Sequence, residues 1–266
     1  MAAAARLSRD GTALPRLLAV VLLLAAWQAL ALSGLLFRDV VPPLGALAAG
    51  LVGVLVDGGF YRNLLVTAWE LAAALAIGGS AGLAAGLVLG ASRFAAAAFE
   101  RWVNYLGPTP KIILFPVLIL LFGVGLGSKM AMGAISCFFP VVISVAAGVR
   151  GVDPVLLRVG RSFRARLHQR LLKIYLPAMV GPLLNGARLG FGVALIGVLL
   201  AETKLSNQGV GFIVMQAYQR FDMPRMYGLL IVVVAMAAAV NVLLEQAAAR
   251  AGGRRRKRRD KGAEPT

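Results

Sequence analysis

The sequence has very few of the residues that metal sites and covalent cross-links require. Its 266 residues include one cysteine, Cys137, and one histidine, His168. A single cysteine excludes an internal disulfide, and one cysteine with one histidine does not give the ligand spacing of a zinc site. The chain also lacks a Gly-x-x-x-x-Gly-Lys-Ser/Thr phosphate loop. We therefore expect no metal, no cofactor and no ATP hydrolysis by this chain.

Charged residues are also scarce, at 15% of the chain, against 59% hydrophobic residues and a mean hydropathy of +0.81. A soluble domain of this size cannot bury so much apolar surface, which indicates a lipid environment. Several apolar runs are long enough to cross a bilayer as helices. They cover residues 14–36, 63–90, 99–125, 128–149, 178–201 and 226–249. The predicted fold class is all-α, a polytopic membrane protein with about six transmembrane helices.

Two stretches depart from this simple pattern. Helix-breaking residues interrupt the third run, at Gly107, Pro108, Pro110 and Pro116. Proline removes a backbone donor and clashes with the preceding turn, so we expect a kink or a late helix start there. After Pro42 and Pro43, a short Gly-rich apolar stretch predicts an interfacial helix and not a further span.

Basic residues outnumber acidic ones by 28 to 11, and most of them fall on one side of the predicted membrane. With a cytoplasmic N-terminus and an even number of spans, the few placed outside are Arg38, Arg62, Lys129, Lys204, Arg220 and Arg225. This distribution follows the positive-inside rule. We predict that both termini are cytoplasmic. The positive charge then meets membrane lipid, and we expect no nucleic-acid partner.

Small residues mark one side of the second run. Four glycines recur at every fourth position, at Gly78, Gly82, Gly86 and Gly90. This spacing places them on one side of a helix, where another backbone can come close. Ordinary helix packing is the simpler interpretation, and a helix–helix contact that moves is the alternative.

The stretch 150–190, between the fourth and fifth runs, is strongly basic and amphipathic. Asp153 and Pro154 are typical of a helix N-cap and first turn. Apolar side chains follow at helical spacing, at Leu156, Val159, Phe163, Leu167 and Leu171. The pattern predicts a helix that ends at Leu176-Pro177. Its apolar face fits a groove of a partner protein, and its charge equally fits a helix that lies on anionic headgroups.

The wider spacing resembles the cytoplasmic loop of permeases in binding-protein-dependent ABC importers. That family has Glu-Ala-Ala, a Gly after three more residues, then an apolar-Pro pair and Gly-x-Arg. Here Arg158-Val159-Gly160, Leu176-Pro177 and Gly186-Ala187-Arg188 stand at those positions. Further segments resemble the nitrate, sulfonate and taurine branch, namely AAWQAL at 25–30, VPP at 41–43, the glycine-rich 78–90, FG at 122–123 and Gly209-Val210-Gly211. The resemblance covers about residues 20–248.

Two residues depart from the family pattern. Arg158 stands where the family has its acidic residue, and Arg164 stands where a Gly breaks the loop into two short helices. An L-residue reaches the backbone angles of that Gly at a cost of about 1–2 kcal/mol. We therefore expect the break to be lost or to move to Gly160. The second permease copy can then be identical, giving a homodimer, or can have a normal loop, giving a heterodimer, and the sequence leaves both open.

The resemblance implies a permease subunit that forms the solute pathway for a small anion such as nitrate, sulfonate or taurine. It implies a bacterial inner-membrane location and three partners: a cytoplasmic ABC ATPase, a periplasmic solute-binding protein and a second permease copy. The predicted coupling residues are Val159, Gly160, Arg161, Phe163, Arg164, Leu167 and Pro177. Among them, Val159, Phe163 and Leu167 are the expected apolar anchors in a groove of the ATPase.

Two carboxylates in the apolar runs, Glu70 and Glu202, are candidate gate or pathway residues, because ionisable groups within spans are costly and often functional. Glu70 lies near enough to the outer interface to snorkel. The rival functions are an ATP-independent secondary transporter, a membrane-embedded enzyme and a structural membrane protein. A secondary transporter typically has inverted repeats, and an enzyme needs a cluster of reactive side chains. The sequence suggests neither.

The predicted domain organisation is simple. Residues 1–250 form a single permease domain, with an importer-type core at about 63–248. Residues 251–266 form a basic cytoplasmic tail, RRRKRRDK with its flanks. We expect this tail to be disordered and held to anionic lipid.

Overall fold

The computed structural model describes residues 13–35 and 40–261, and these residues form helices and connecting turns without a strand. In the first half of the chain, the helices are α1 (Ala13–Leu32), α2 (Leu44–Val56), α3 (Gly58–Ala91), α4 (Arg93–Leu106), α5 (Phe115–Phe122) and α6 (Leu126–Arg150), with a 3-10 turn at Lys111–Leu114. In the second half, they are α7 (Pro154–Ser162), α8 (Leu167–Arg170), α9 (Leu176–Ala178), α10 (Val180–Lys204), α11 (Val210–Gln219) and α12 (Met223–Lys261), with a π-helical turn at Leu171–Tyr175. The all-α prediction is confirmed.

Five helices of the described residues are long and apolar enough to cross a membrane, and a sixth span exists if α4 and the segment 111–122 count as one. These two pieces meet at a bend of 93°. The bend falls where Gly107, Pro108 and Pro110 interrupt the sequence, and the prolines lack the N–H groups that a continuous helix needs. The predicted interruption of the third run is therefore present, and it is a sharp corner.

The described residues fall into two compact units. The first comprises the chain up to Phe60 together with Ile213–Val233. In this unit, the Trp27 indole N–H donates to the Pro42 carbonyl over 3.0 Å and its ring meets Tyr227 edge to face at 5.4 Å. The Leu44 N–H donates to the Gln28 side chain over 2.9 Å. These contacts fix the start of α2, the short helix that the sequence predicted after the two prolines.

The second unit comprises Tyr61–Phe212 together with the chain from Val234. Its centre is α6, where Val142 and Val145 are fully buried. A Cβ on Gly82, Gly86 or Gly90 would come within 3.0 Å of side chains or carbonyls of α6, and one on Gly78 would collide with the Ala134 carbonyl. The glycine row of α3 is therefore a surface on which α6 packs directly.

Helix α10 uses glycine in the same way on another side of α6. A Cβ on Gly186 would lie 2.8 Å from the Ser144 Cβ, and one on Gly197 would lie 2.7 Å from the Ser136 hydroxyl. Close approach increases the dispersion contact between helix backbones, which stabilises helix pairs in lipid.

The last helix runs past residue 250, where the sequence predicted the permease domain to end. Side chains beyond Gln246 and residues 262–266 lie outside the described part of the chain. The single-domain boundary and the disordered tail stay predictions.

Candidate functional site

The loop between α6 and α10 begins with a well-formed helix start. The Asp153 carboxylate accepts the Val155 N–H over 2.8 Å, and Pro154 occupies the first turn of α7. An N-cap carboxylate of this kind contributes about 1 kcal/mol to helix stability. The predicted start of the amphipathic helix is confirmed.

The helix does not continue to Leu176-Pro177, as the spacing of apolar residues predicted. It ends at Ser162, and Arg164 takes a left-handed backbone conformation with φ of 50°. The Ala165 N–H donates to the Gly160 carbonyl over 3.0 Å, and the Arg164 N–H donates to the Arg161 carbonyl over 2.9 Å. This hydrogen-bond pair is a Schellman motif, in which a left-handed residue ends a helix.

The expectation that the break is lost or moves to Gly160 is therefore wrong. The break stays at Arg164, because two capping hydrogen bonds offset the cost of left-handed backbone angles in an L-residue. Gly160 lies within α7 and is buried. A Cβ on Gly160 would lie 2.5 Å from the Ile174 Cδ1. Gly160 thus lets the returning segment pack closely on α7.

One face of α7 carries apolar side chains that contact little else within the chain. Phe163 is 82% exposed and Val159 is 47% exposed. Val155 and Leu156 are exposed to a similar extent as Val159. Leu167 begins α8, and its side chain lies outside the described part of the chain. The structure thus brings Val155, Leu156, Val159 and Phe163 together, and we name these four the ridge.

Exposed basic side chains lie close to the end of the ridge in the sequence. Arg161, Arg164 and Arg166 are exposed, and Pro177 lies exposed in the short helix α9. The guanidinium of Arg188, in the Gly-x-Arg segment, donates to the Asn241 side chain over 2.7 Å and lies 3.4 Å from the Glu245 carboxylate. The loop is thereby tied through α10 to the final helix of the same unit.

A second group of polar residues is buried at the other end of α10. The Glu202 carboxylate accepts the Thr67 hydroxyl over 2.6 Å and the Gly211 N–H over 2.6 Å. The Val210 N–H donates to the Thr67 hydroxyl over 2.8 Å, and the Gly209 N–H donates to the Asn63 side chain over 2.7 Å. Three successive N–H groups of the turn after α10 are therefore held by side chains of α3 and α10.

The turn needs glycine at this place. Gly209 has φ of 104°, and a Cβ there would collide with the Glu202 carboxylate. In the sequence, the segment 209–211 was identified only by its resemblance to the importer permease family. The structure supplies its physical reason, which is the close approach of the turn to a buried carboxylate.

Glu70 lies beside Glu202 and is fully buried. The expectation that Glu70 snorkels to the interface is wrong, because α3 turns this residue toward α6 and α10. Lys129, 1% exposed, is also buried, and its ammonium donates to the carbonyls of Val124 and Gly125 over 2.7 and 3.0 Å. Sequence reasoning placed Lys129 among the outer charges and missed it as a partner of the two carboxyls.

Comparisons with known proteins identify the family of this chain. The family model described as "Binding-protein-dependent transport system inner membrane component" matches residues 78–257. The chain belongs to this family. The matched range contains the glycine row, the loop with the ridge and the buried carboxyls. The loop between α6 and α10 thus lies within the range that matches the family.

Two relatives of this permease are named for the transport of sulfur-containing solutes. A Bacillus subtilis (strain 168) permease, SsuC, named for aliphatic sulfonates transport, is 30% identical over 203 residues, covering 76% of this chain and 74% of the relative. The taurine transport system permease TauC of Escherichia coli (strain K12) is 27% identical over 203 residues, covering 74% of each chain. The chain is the transmembrane permease subunit of an ABC importer, and a secondary transporter is not supported.

The fold of the permease has a counterpart among solved structures. A chain of the inward-facing MetNI methionine ABC transporter superposes with a TM-score of 0.62 at 18% identity, covering 76% of this permease and 97% of that chain. At this identity, the likeness shows the fold alone.

Proposed function

We propose that the ridge is the surface by which this permease binds its cytoplasmic ATPase. Four apolar side chains exposed on one short helix are costly in water, and an apolar stripe with charges at its rim is the usual form of a helix that enters a groove. Phe163 carries the argument, because a phenylalanine at the end of a helix and 82% exposed is unusual without a partner.

The basic rim fits an acidic partner surface. Arg161, Arg164 and Arg166 are all exposed, within a few residues of the end of the ridge at Phe163. Rim charges of this kind act mainly on orientation and association rate, whereas buried apolar anchors supply affinity. The rival, a helix that lies on anionic lipid, would also bury this apolar face, but the match of this segment to the binding-protein-dependent transport family favours a groove of a protein. We therefore place the partner on the ATPase and not in the headgroups.

The geometry also bears on the second permease copy. The reason to consider a heterodimer was a loop that had lost its break, and Arg164 keeps that break with φ of 50°. Two identical loops can then serve two ATPase subunits. We propose a homodimer, with both termini and the ridge on the cytoplasmic side of the inner membrane, as the excess of basic residues in those segments indicates.

The transported solute is proposed from the relatives. The two permeases described above are named for sulfonate and taurine transport. We propose a small organic sulfonate, delivered by a periplasmic solute-binding protein and moved along a pathway lined by small and apolar side chains.

The ridge is tested by the substitution Phe163→Ala in the full-length permease, co-expressed with its cognate ABC ATPase. Truncation of a central aromatic anchor costs about 2 kcal/mol or more in an interface, so ATPase binding should weaken at least tenfold. The measurement is the amount of ATPase that co-purifies with the permease in detergent, titrated with added ATPase.

Phe94→Ala is the matched control, because Phe94 is also a phenylalanine, is also 82% exposed, and lies in α4 outside the loop. It should leave ATPase binding unchanged. Equal binding by the wild-type and Phe163→Ala permeases would contradict the proposal, and so would an equal loss in both variants.

A further inference from the structure

The buried group of Glu70, Glu202 and Lys129 has more carboxyls than cations. Glu70 and Lys129 are 0% and 1% exposed, and Glu202 is 1% exposed. Two ionised carboxylates with one ammonium would leave a net negative charge inside the protein. A buried charge without compensation costs several kcal/mol, so a further positive charge is required at this place.

The hydrogen bonds show which of the two carboxyls is ionised. Glu202 accepts two hydrogen bonds, from the Thr67 hydroxyl and from the Gly211 N–H, each over 2.6 Å. Hydrogen bonds donated to a carboxylate stabilise its ionised form. Glu202 also lies within electrostatic reach of Lys129. Lys129 lies within electrostatic reach of Glu70 as well, so it is the hydrogen bonds that identify Glu202 as the carboxylate of the pair.

Glu70 has the opposite surroundings. Both of its oxygens are buried, and within the described part of the chain neither accepts a hydrogen bond. Its carboxyl lies beside that of Glu202. Two carboxylates cannot bond to each other, because neither has a hydrogen to donate. One proton on Glu70 turns this unfavourable contact into an O–H···O⁻ hydrogen bond.

We propose that Glu70 and Glu202 form a one-proton binding site inside the membrane span, with the proton on Glu70 and the negative charge of Glu202 balanced by Lys129. The site joins α3, α6 and α10 and holds the turn that leads into the first residues of α11. Its first role is to position that turn, since the Gly211 N–H donates to the same carboxylate that accepts the hydrogen bond of the protonated Glu70.

Three neutral substitutions separate the roles of the three groups. Glu70→Gln keeps a donor toward Glu202 and mimics the protonated acid, so the melting temperature of the purified full-length permease should change little. Glu202→Gln removes the counter-ion of Lys129 and an acceptor, and Lys129→Met leaves Glu202 without a cation. Loss of one partner of a buried pair is strongly destabilising, so both variants should melt far below the wild type.

Infrared spectroscopy detects the protonated carboxyl itself, which a purely structural role of Glu70 would not require. The wild-type permease, in nanodiscs and in D₂O buffer near neutral pH, should show a carboxylic-acid C=O band. This band should be absent in Glu70→Gln, and Thr109→Ala, an exposed site in the turn after α4, should retain it.

Several results would overturn the proposal. One is a wild-type infrared spectrum without the carboxylic-acid band, and another is a band that persists in Glu70→Gln. A third is a melting temperature that falls as far in Glu70→Gln as in Glu202→Gln. A melting temperature that rises with added sodium chloride but not with potassium chloride would assign the missing positive charge to a bound sodium ion, and it would equally exclude the proton.

Discussion

At the residue scale, Arg164 shows how a departure from a family pattern is accommodated. The family places glycine there, and the sequence alone suggested that arginine removes the break in the loop. Instead, the Ala165 and Arg164 N–H groups cap the end of α7, and Arg164 adopts φ of 50°. The hydrogen bonds of the cap are made by the backbone, so they do not depend on the side chain. The ridge therefore keeps its end at Phe163.

The strain at this residue gives a prediction. Arg164→Gly should stabilise the loop by about 1 kcal/mol, because glycine reaches left-handed angles without a Cβ clash. Hydrogen–deuterium exchange of the segment 154–175 should slow by about fivefold, the factor that corresponds to this energy.

The matched control is Arg166→Gly, two residues further on, where φ is not positive. It should not slow exchange, because glycine brings only additional freedom to an unstrained position. If both substitutions change exchange equally, Arg164 is not strained.

For the buried carboxyls, the sequence predicted the residues but not their neighbours. Glu70 and Glu202 were identified as candidates because acidic residues are rare in apolar runs. Their neighbours could not be found, since Lys129 is 59 and 73 positions away along the chain and its depth depends on how α6 is rotated. Rotation of a helix is set by packing, which a hydropathy pattern does not contain.

At the element scale, the glycine row of α3 determines how two spans approach. A Cβ on Gly86 would lie 2.6 Å from the Val145 Cβ and 2.8 Å from the Val142 carbonyl. Neither atom belongs to the flexible end of a side chain, so α3 and α6 would have to separate. Gly79, one residue after the start of the row, has nothing within 4 Å of such a Cβ.

This difference between two glycines of one helix gives a prediction. Gly86→Ala should lower the free energy of unfolding by about 1–3 kcal/mol, the usual cost of overpacking. Gly79→Ala should be neutral or slightly stabilising, because alanine is the better helix former. Thermal unfolding of the detergent-solubilised permease measures both, and similar melting temperatures for the two variants would exclude a tight α3–α6 contact.

Element boundaries were predictable where the sequence changes composition. The proline cluster located the corner between α4 and α5, and Asp153-Pro154 located the start of α7. The angle of 93° and the π-helical turn at Leu171–Tyr175 were not predictable. Both depend on contacts between segments, and a one-dimensional pattern of apolar residues records only which side of a helix is buried.

At the scale of the whole molecule, the class of protein follows from composition and the family follows from spacing. Long apolar runs with basic residues on one side of the membrane indicated a polytopic membrane protein, and the matched family range of 78–257 covers most of those runs. The proposed binding of the ATPase depends on one exposed surface. The ridge is set between two spans, α6 and α10, and Arg188 ties α10 to the final helix. A force on the ridge therefore reaches two membrane helices directly.

The most direct test of this account is a thiol cross-link from the ridge to the ATPase. The permease has one cysteine, Cys137, which is buried, and Cys137→Ala gives a cysteine-free background. Ser162→Cys then places a thiol at the end of α7, beside Phe163, and Asn207→Cys places one in the exposed turn after α10. A short thiol-to-amine cross-linker is added to membranes that contain both subunits.

We predict a permease–ATPase product from Ser162→Cys, which ATP changes in amount, and no such product from Asn207→Cys. A product from Asn207→Cys alone, or Ser162→Cys labelled by a membrane-impermeant maleimide in intact cells, would place the ridge outside the cytoplasm and contradict the account.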